Sequence, residues 1–270
     1  MKNSSDQKLK KPPISYYGGK QIMLKHILPL IPPHELYLEG CAGGAALFFA
    51  KEPSNIEVLN DINGEVVNFY KVLQSKLTEL RKLVKQTLHC YQSYQDTLVI
   101  YKNPHLFSEV QRAWAFWVAC NQSFASKLKS GWGYDKTDSN KTARVVCNKK
   151  DKILNEDFYL ERLSRVSIEN REVIHVMKSR DTINAFHYID PPYPRSSQGH
   201  YQGFRMSDFL EIIDLVPALR GKVLISSYDY PELNSRVKEY KLYQKKFEKS
   251  VSVNRHSKRK VEVLTANYPI

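Results

Sequence analysis

Ala185-Phe186-His187-Tyr188-Ile189-Asp190-Pro191-Pro192-Tyr193 reads as a buried strand that stops at an acid, two prolines and an aromatic ring. An apolar run rich in aromatic and β-branched residues and bounded by proline predicts a strand over Ala185–Ile189. Pro191 and Pro192 lack backbone donors and have fixed φ angles, so the carbonyls around them are left to accept hydrogen bonds. The Asp190 carboxylate, a rigid turn and the flat ring of Tyr193 therefore stand together at one sheet edge. Such groups can hold a planar amine while its nitrogen is attacked. An ordinary strand ending in a proline turn has the same letters, so the rest of the chain decides.

Outward from this run, apolar segments alternate with helical stretches, the pattern of an α/β sheet. Strands are predicted at Glu35–Glu39, Ile56–Leu59, Glu172–Met177 and Lys222–Ser226, and helices at Lys20–Leu30, Ala45–Lys51, Gly64–His89 and Ser207–Leu219. Tyr240–Val253 and Val261–Tyr268 read as two strands joined by a basic turn, Asn254–Lys260. An antiparallel pair of this kind closes many mostly parallel sheets. Residues 71–165 break the alternation. They are helical and aromatic-rich, with Arg112-Ala113-Trp114-Ala115-Phe116-Trp117 followed by the polar Asn121–Ser126 and a loop signal at Gly131-Trp132-Gly133-Tyr134. The predicted organisation is a flexible basic tail (1–11), an α/β domain made of 12–70 and 166–270, and an inserted helical module (71–165). Trp114 and Trp117, three apart on a helix, are assigned to its core.

The chain has 270 residues, 42% hydrophobic and 26% charged, which excludes collagen, coiled coil and wholesale disorder. Its net charge of +13 points to a polyanionic partner such as nucleic acid. That excess is clustered: residues 127–152 carry eight Lys and Arg against three Asp, and residues 236–260 carry ten against two Glu. Cys41, Cys90, Cys120 and Cys147 form no C-x-x-C pair and no secretory signal is present, so reduced thiols in a cytoplasmic protein are expected. No run approaches the roughly 18 apolar residues of a membrane span. The eight histidines are scattered, and no metal site is expected.

Two further constellations carry chemistry. Glu39-Gly40-Cys41-Ala42-Gly43-Gly44-Ala45 follows a strand and opens a helix, where small residues let a ligand approach the backbone, or let helix and sheet pack closely. Gly43 and Gly44 can preserve the turn, and Ala45 costs little if its φ is negative. The next strand ends at Asn60-Asp61, and an acid there suits the paired hydroxyls of a ribose. The G-x-G-x-x-G fingerprint is absent, so the site is predicted to take a nucleoside without a pyrophosphate. At the other constellation, Tyr16-Tyr17-Gly18-Gly19-Lys20 precedes a helix. The glycines make a tight turn, Lys20 can reach a carboxylate or phosphate, and Tyr16 can stack; a solvated glycine turn is the alternative.

These pieces, in this order, resemble the Dam-like DNA adenine-N6 methyltransferases over about Pro12 to Tyr268. Tyr16–Lys20 is similar to the family's aromatic-x-Gly-Gly-Lys motif, Leu38–Ala45 to its cofactor loop, Asn60-Asp61-Ile62-Asn63 to its ribose motif, and Asp190–Tyr193 to its catalytic motif. Leu224–Asp229 and Lys260–Leu264 resemble its late strands. This chain has Cys41 where the family loop usually has an aromatic residue, and Ala45 for its second glycine.

The resemblance implies a Rossmann-like S-adenosylmethionine-dependent methyltransferase sheet with an antiparallel C-terminal strand pair and an inserted DNA-recognition module. Tyr16, Gly18, Gly19, Lys20, Glu39, Gly43, Asp61 and Asp190 would hold the cofactor. Asp190, Pro191, Pro192 and Tyr193 would act on an adenine flipped out of duplex DNA. Asn121, Gln122, Ser123, Lys127 and Arg144 would be exposed groove contacts, while Arg195, Arg205, Arg255 and Lys258 would meet phosphates, the first two from a mobile loop after Tyr193. Double-stranded DNA is the implied partner, with a cognate restriction endonuclease as a further one, and the protein would act as a monomer or weak dimer. Methylation of cytosine N4 or of an RNA base, and a DNA-binding relative without catalysis, stay open on the residues alone.

Overall fold

Where apolar runs give way to amphipathic stretches, the chain separates into a helical unit and a sheet unit. The computed structural model describes residues 10–126, 131–134, 143–155, 157–196, 198, 201, 203–249 and 260–270.

The helical unit comprises the chain up to Pro29, Gly43–Pro53 and Asn68–Ser164. It carries α1 (Leu24–Ile27), α2 (Ala46–Ala50), most of α3 (Gly64–Ser75), α4 (Leu77–Gln86), α5 (Tyr91–Lys102), α6 (Glu109–Gln122), α7 (Ala143–Asn155) and α8 (Phe158–Leu163). Besides the stretch expected as an insert, it takes in the segments around Tyr16 and Gly43. Its centre is α6. Ser108 starts that helix with a capping box: its Oγ accepts from the Gln111 N–H, and Gln111 Oε1 accepts from the Ser108 N–H at 3.0 Å. Ala115, Phe116, Trp117, Val118, Ala119 and Cys120 are all buried, an unbroken run that encloses the helix on every side there. Trp114 is partly buried, and its indole N–H donates to Thr87 Oγ1 at 2.7 Å. The single helix predicted over Gly64–His89 is two. Lys76 leaves helical backbone (φ −135°, ψ 33°), which re-phases the chain so that Leu77, Leu80 and Val84 turn inward.

The sheet unit holds Leu30–Ala42, Ser54–Val67 and the chain from Arg165 onward. Its strands are β1 (Leu36–Glu39), β2 (Ile56–Asn60), β3 (Val166–Glu169), β4 (Ala185–Ile189), β5 (Lys222–Tyr228), β6 (Tyr243–Lys249) and β7 (Lys260–Ala266). They form one sheet in the order β3-β2-β1-β4-β5-β7-β6. The pairs among β1 to β5 are parallel, and β7 pairs antiparallel with both β5 and β6. Every residue of β1 and β4 is buried, which is why both read as unbroken apolar runs. The chain runs outward from β1 to β3 and then returns to β4 on the other side of β1. The carboxyl ends of β1 and β4 therefore flank the switch point, where open α/β sheets bind ligands.

One predicted strand is overturned. Residues 172–177 form no strand; β3 lies earlier, at Val166–Glu169, and Val173–Ser179 is helix α9. The β-branched Val173, Ile174 and Val176 carry a strand signal, but Val176 and Met177 are both buried in a cluster with Leu38, Val58 and Ile189. Only a helix turns neighbouring residues towards one core, so packing outweighs propensity. Helices α10 (Met206–Leu215) and α11 (Pro231–Glu239) complete the unit, the latter opened by proline at its first position. The predicted basic turn lies, up to residue 259, outside the described residues.

Because a strand would send two neighbours to opposite faces, their packing in one cluster makes a testable demand of α9. Val176→Ala and Met177→Ala should each lower stability in urea unfolding, by about 2 kcal/mol or more. A loss at one position alone would contradict the helix.

Candidate active site

Three strand ends build the site in the sheet unit. β1 delivers Glu39 and Gly40, β2 delivers Asn60 and Asp61, and β4 delivers Asp190 and the proline turn. Asn60 braces them. Its side-chain amide donates to the Gly40 carbonyl at 2.9 Å and to the Arg171 carbonyl at 3.0 Å, and its oxygen accepts from the Arg171 N–H at 3.0 Å. The Gly40 N–H donates to the Tyr188 carbonyl at 3.0 Å, tying β1 to β4. Gly40 packs closely on β4: a Cβ there would lie 2.6 Å from Ile189 Cδ1, so that side chain would have to shift.

Around this frame lie the acids. Glu39 is buried, and its Oε2 accepts from the Tyr37 hydroxyl at 2.7 Å. Asp61 is buried as well, and its Oδ1 accepts from the Asn63 N–H at 2.8 Å. The Tyr201 hydroxyl reaches both Asp61 oxygens, at 2.8 and 2.7 Å. A carboxylate that offers both oxygens in this way suits a pair of adjacent hydroxyls. Cys41 reports the local charge. Burial pushes its thiol well up, and Asp61, Asp190, Glu39 and Glu172 push it in the same direction. The thiol stays protonated, and the region favours cations.

A cavity of about 480 Å³ opens here, lined by Gly40, Cys41, Asp61, Glu172, Pro192 and Tyr201 among others. Glu39 and Asp190 are not among the residues that line it. Asp190 is partly buried. Tyr193, also partly buried, donates its hydroxyl hydrogen to Glu262, and its ring meets Tyr228 edge-on with centroids 4.6 Å apart. Burial, then Asp190 and Glu262, hold the Tyr193 phenol well above its ordinary pKa. After the motif, the Tyr230 hydroxyl donates to the Pro194 carbonyl at 2.7 Å, and Ser196 Oγ donates to the Tyr193 carbonyl at 2.7 Å.

The helical unit carries the remaining predicted cofactor residues. Gly18 (φ +79°) makes the expected tight turn, closed by the Gly19 N–H on the Tyr16 carbonyl at 3.1 Å. Lys20 is buried and donates to the Gly18 carbonyl at 3.2 Å. The Tyr16 ring rests on the glycine loop: a Cβ on Gly43 would lie 2.8 Å from Tyr16 Cε1. Two sequence motifs thus meet within this unit. Ala45 does not meet the condition of negative φ: it is left-handed at φ +50°. That conformation costs roughly 1–2 kcal/mol in a residue with a Cβ.

The predicted DNA contacts divide. Asn121, Gln122 and Ser123, expected to be exposed, are fully buried. The Asn121 amide accepts from the Ser15 N–H at 3.2 Å and donates to the Trp117 carbonyl at 2.9 Å, while Gln122 donates to the Leu88 carbonyl at 3.0 Å. The amides of Asn121 and Gln122 satisfy buried backbone groups instead of meeting solvent. Exposed nearby are Phe124 and Tyr134, the latter stacked on Trp132 with centroids 5.4 Å apart. Arg195 is exposed, sits at φ +56° and pairs with Glu232. Arg205 is exposed, and its N–H donates to Asp208 Oδ2 at 2.7 Å at the start of α10. Arg144 belongs to α7, with its side chain outside what the structure describes. Lys127, Arg255 and Lys258 lie outside the described residues, as do several residues of the loop after Tyr193.

Residues 16–258 match the family described as D12 class N6 adenine-specific DNA methyltransferase. The type II methyltransferase M1.LlaDCHI of Lactococcus lactis subsp. cremoris is 24% identical, with 96% of this chain and 95% of that protein covered. The DNA adenine methylase of Escherichia coli K12 is 22% identical, with 94% of each covered. A DNA N-6-adenine-methyltransferase of Escherichia phage P1 is 30% identical over 37% of this chain and 13% of that protein.

The contact of Tyr16 with the glycine loop can be tested by coupling. Gly43→Ala should destabilise the protein by about 2 kcal/mol, and part of that loss should vanish beside Tyr16→Ala. Strictly additive losses in thermal unfolding would contradict the contact.

Proposed function

This chain belongs to the D12 class of N6 adenine-specific DNA methyltransferases, and we propose that it moves the methyl group of S-adenosylmethionine to N6 of an adenine swung out of duplex DNA at a specific site. The observation that carries this reading is the set of carboxylates gathered at the carboxyl ends of β1, β2 and β4, beside Asp190-Pro191-Pro192-Tyr193. S-adenosylmethionine supplies an electrophilic methyl group on a positively charged sulfur, and an acid-lined seat fits such a cation.

Each residue has a role. Asp61 accepts the two ribose hydroxyls in place of the Tyr201 hydroxyl, and Glu39 adds negative charge for the amino-acid part. Tyr16, Gly18, Gly19, Lys20 and Gly43 are cofactor contacts by their match to the family motifs. Asp190 and the Pro191 carbonyl accept the two hydrogens of the adenine amino group, which draws the nitrogen lone pair out of ring conjugation. Pro192 keeps the turn rigid, and Tyr193 stacks on the extruded ring, a contact worth roughly 1–3 kcal/mol. The rate comes from positioning and charge stabilisation, with no covalent enzyme intermediate. The helical unit supplies target recognition. Arg195, Arg205, Arg255 and Lys258 meet phosphates, and Lys127 and Arg144 enter the grooves, so DNA affinity falls steeply with salt. The likeness to a type II methyltransferase supports a restriction endonuclease as a functional partner.

Incubation with methyl-labelled S-adenosylmethionine and unmethylated duplex DNA, followed by nucleoside analysis, should yield N6-methyladenine. N4-methylcytosine would overturn the assignment. Asp190→Ala should lower turnover by roughly a thousandfold or more with DNA affinity near wild type. Asp61→Ala should weaken cofactor binding by about tenfold or more and leave DNA binding unchanged. Normal turnover in the first variant, or equal loss of both ligands in the second, would contradict these roles.

A further inference from the structure

Glu262 is a charged side chain with no solvent exposure, set in β7 between two neighbouring strands. It stands opposite Tyr228 of β5 and opposite Phe247 of β6. Residues directly opposite in an antiparallel pair project to the same face, so Glu262 and Tyr228 share one side of the sheet. Tyr193 meets both there: its hydroxyl donates to Glu262, and its ring takes the edge of Tyr228. A carboxylate in a strand centre is costly, and an apolar residue would pack at that position without the penalty. A hydrogen bond to an ionised acceptor is stronger and more directional than a neutral one, which suits the fixing of a ring plane.

Resting on the function proposed above, we propose that Glu262 is a positioning residue for methyl transfer: its buried carboxylate holds the Tyr193 hydroxyl and so sets the plane on which the extruded adenine stacks. Tyr228 restrains the same ring from its edge. A partly exposed phenol without this anchor would be free to turn about its side-chain bonds, and each binding event would have to order it again. The phenol stays neutral, and donating its hydrogen to Glu262 polarises the O–H bond and leaves the ring more electron-rich. An electron-rich ring face favours a stacked base that gains positive charge as the methyl group arrives.

The contact can be read from both ends. Glu262→Gln keeps the volume and removes the charge; Tyr193→Phe keeps the ring and removes the hydroxyl. Each should lower the single-turnover methyl-transfer rate by about tenfold, and the double variant should be no slower than either alone. Cofactor affinity should be unchanged in both. Duplex DNA with 2-aminopurine at the target position supplies a readout that a merely structural role would not move. Its fluorescence should rise in the variants, because the base leaves the helix without settling on a fixed ring. Full transfer rate in Tyr193→Phe would overturn the proposal even if Glu262→Gln failed to fold. Losses that multiply in the double variant, or unchanged fluorescence, would also overturn it. A wild-type protein that methylates no DNA would sink the proposed function instead.

Discussion

Glu39, Asp61, Glu172 and Asp190 bring four like charges to bear on one thiol, that of Cys41. Such a group repels itself and is tolerated only where each acid has its own support. Tyr37 donates to Glu39, and the Asn63 N–H and the Tyr201 hydroxyl donate to Asp61. Glu172 stands at the N-terminus of α9, where a negative charge is favoured. A positively charged ligand would relieve the remaining repulsion. A site with these acids gathered around it suits a positively charged ligand, as the proposed methyl transfer from a sulfonium requires.

The sheet makes this convergence unavoidable. Its reversal of strand order between β1 and β4 leaves two carboxyl ends side by side with no crossover covering them. Asn60 then ties the β2 end to the β1 end and to Arg171 after β3. Gly40 packs closely against Ile189. The acids are held by backbone and amide hydrogen bonds, so their geometry exists before any ligand arrives. Tyr201 illustrates the same readiness from another direction, since its hydroxyl occupies the acceptors assigned to a ribose.

Much of the sheet was legible because β1 and β4 are buried along their whole length and so read as continuous apolar runs. The catalytic-type motif was legible for a related reason: proline marks the place where pairing must stop. Segments whose identity depends on distant partners were not. Val173–Ser179 has strand-like letters and becomes a helix because two adjacent residues share one core. Asn121, Gln122 and Ser123 look like surface residues, yet all three are buried, and the first two serve backbone groups at a helix end. Positive φ at Ala45 left no mark in the sequence. The pairings of Tyr193 with Glu262 and of Tyr201 with Asp61 span 69 and 140 residues, and no local pattern announces either.

A crystal structure with sinefungin, a stable analogue with an amine in place of the sulfonium methyl, tests the cation seat most directly. The account predicts both ribose hydroxyls on Asp61, the Tyr201 hydroxyl displaced from it, and the amine beside Asp190. Ligand density away from the ends of β1, β2 and β4, with Tyr201 still on Asp61, would contradict it.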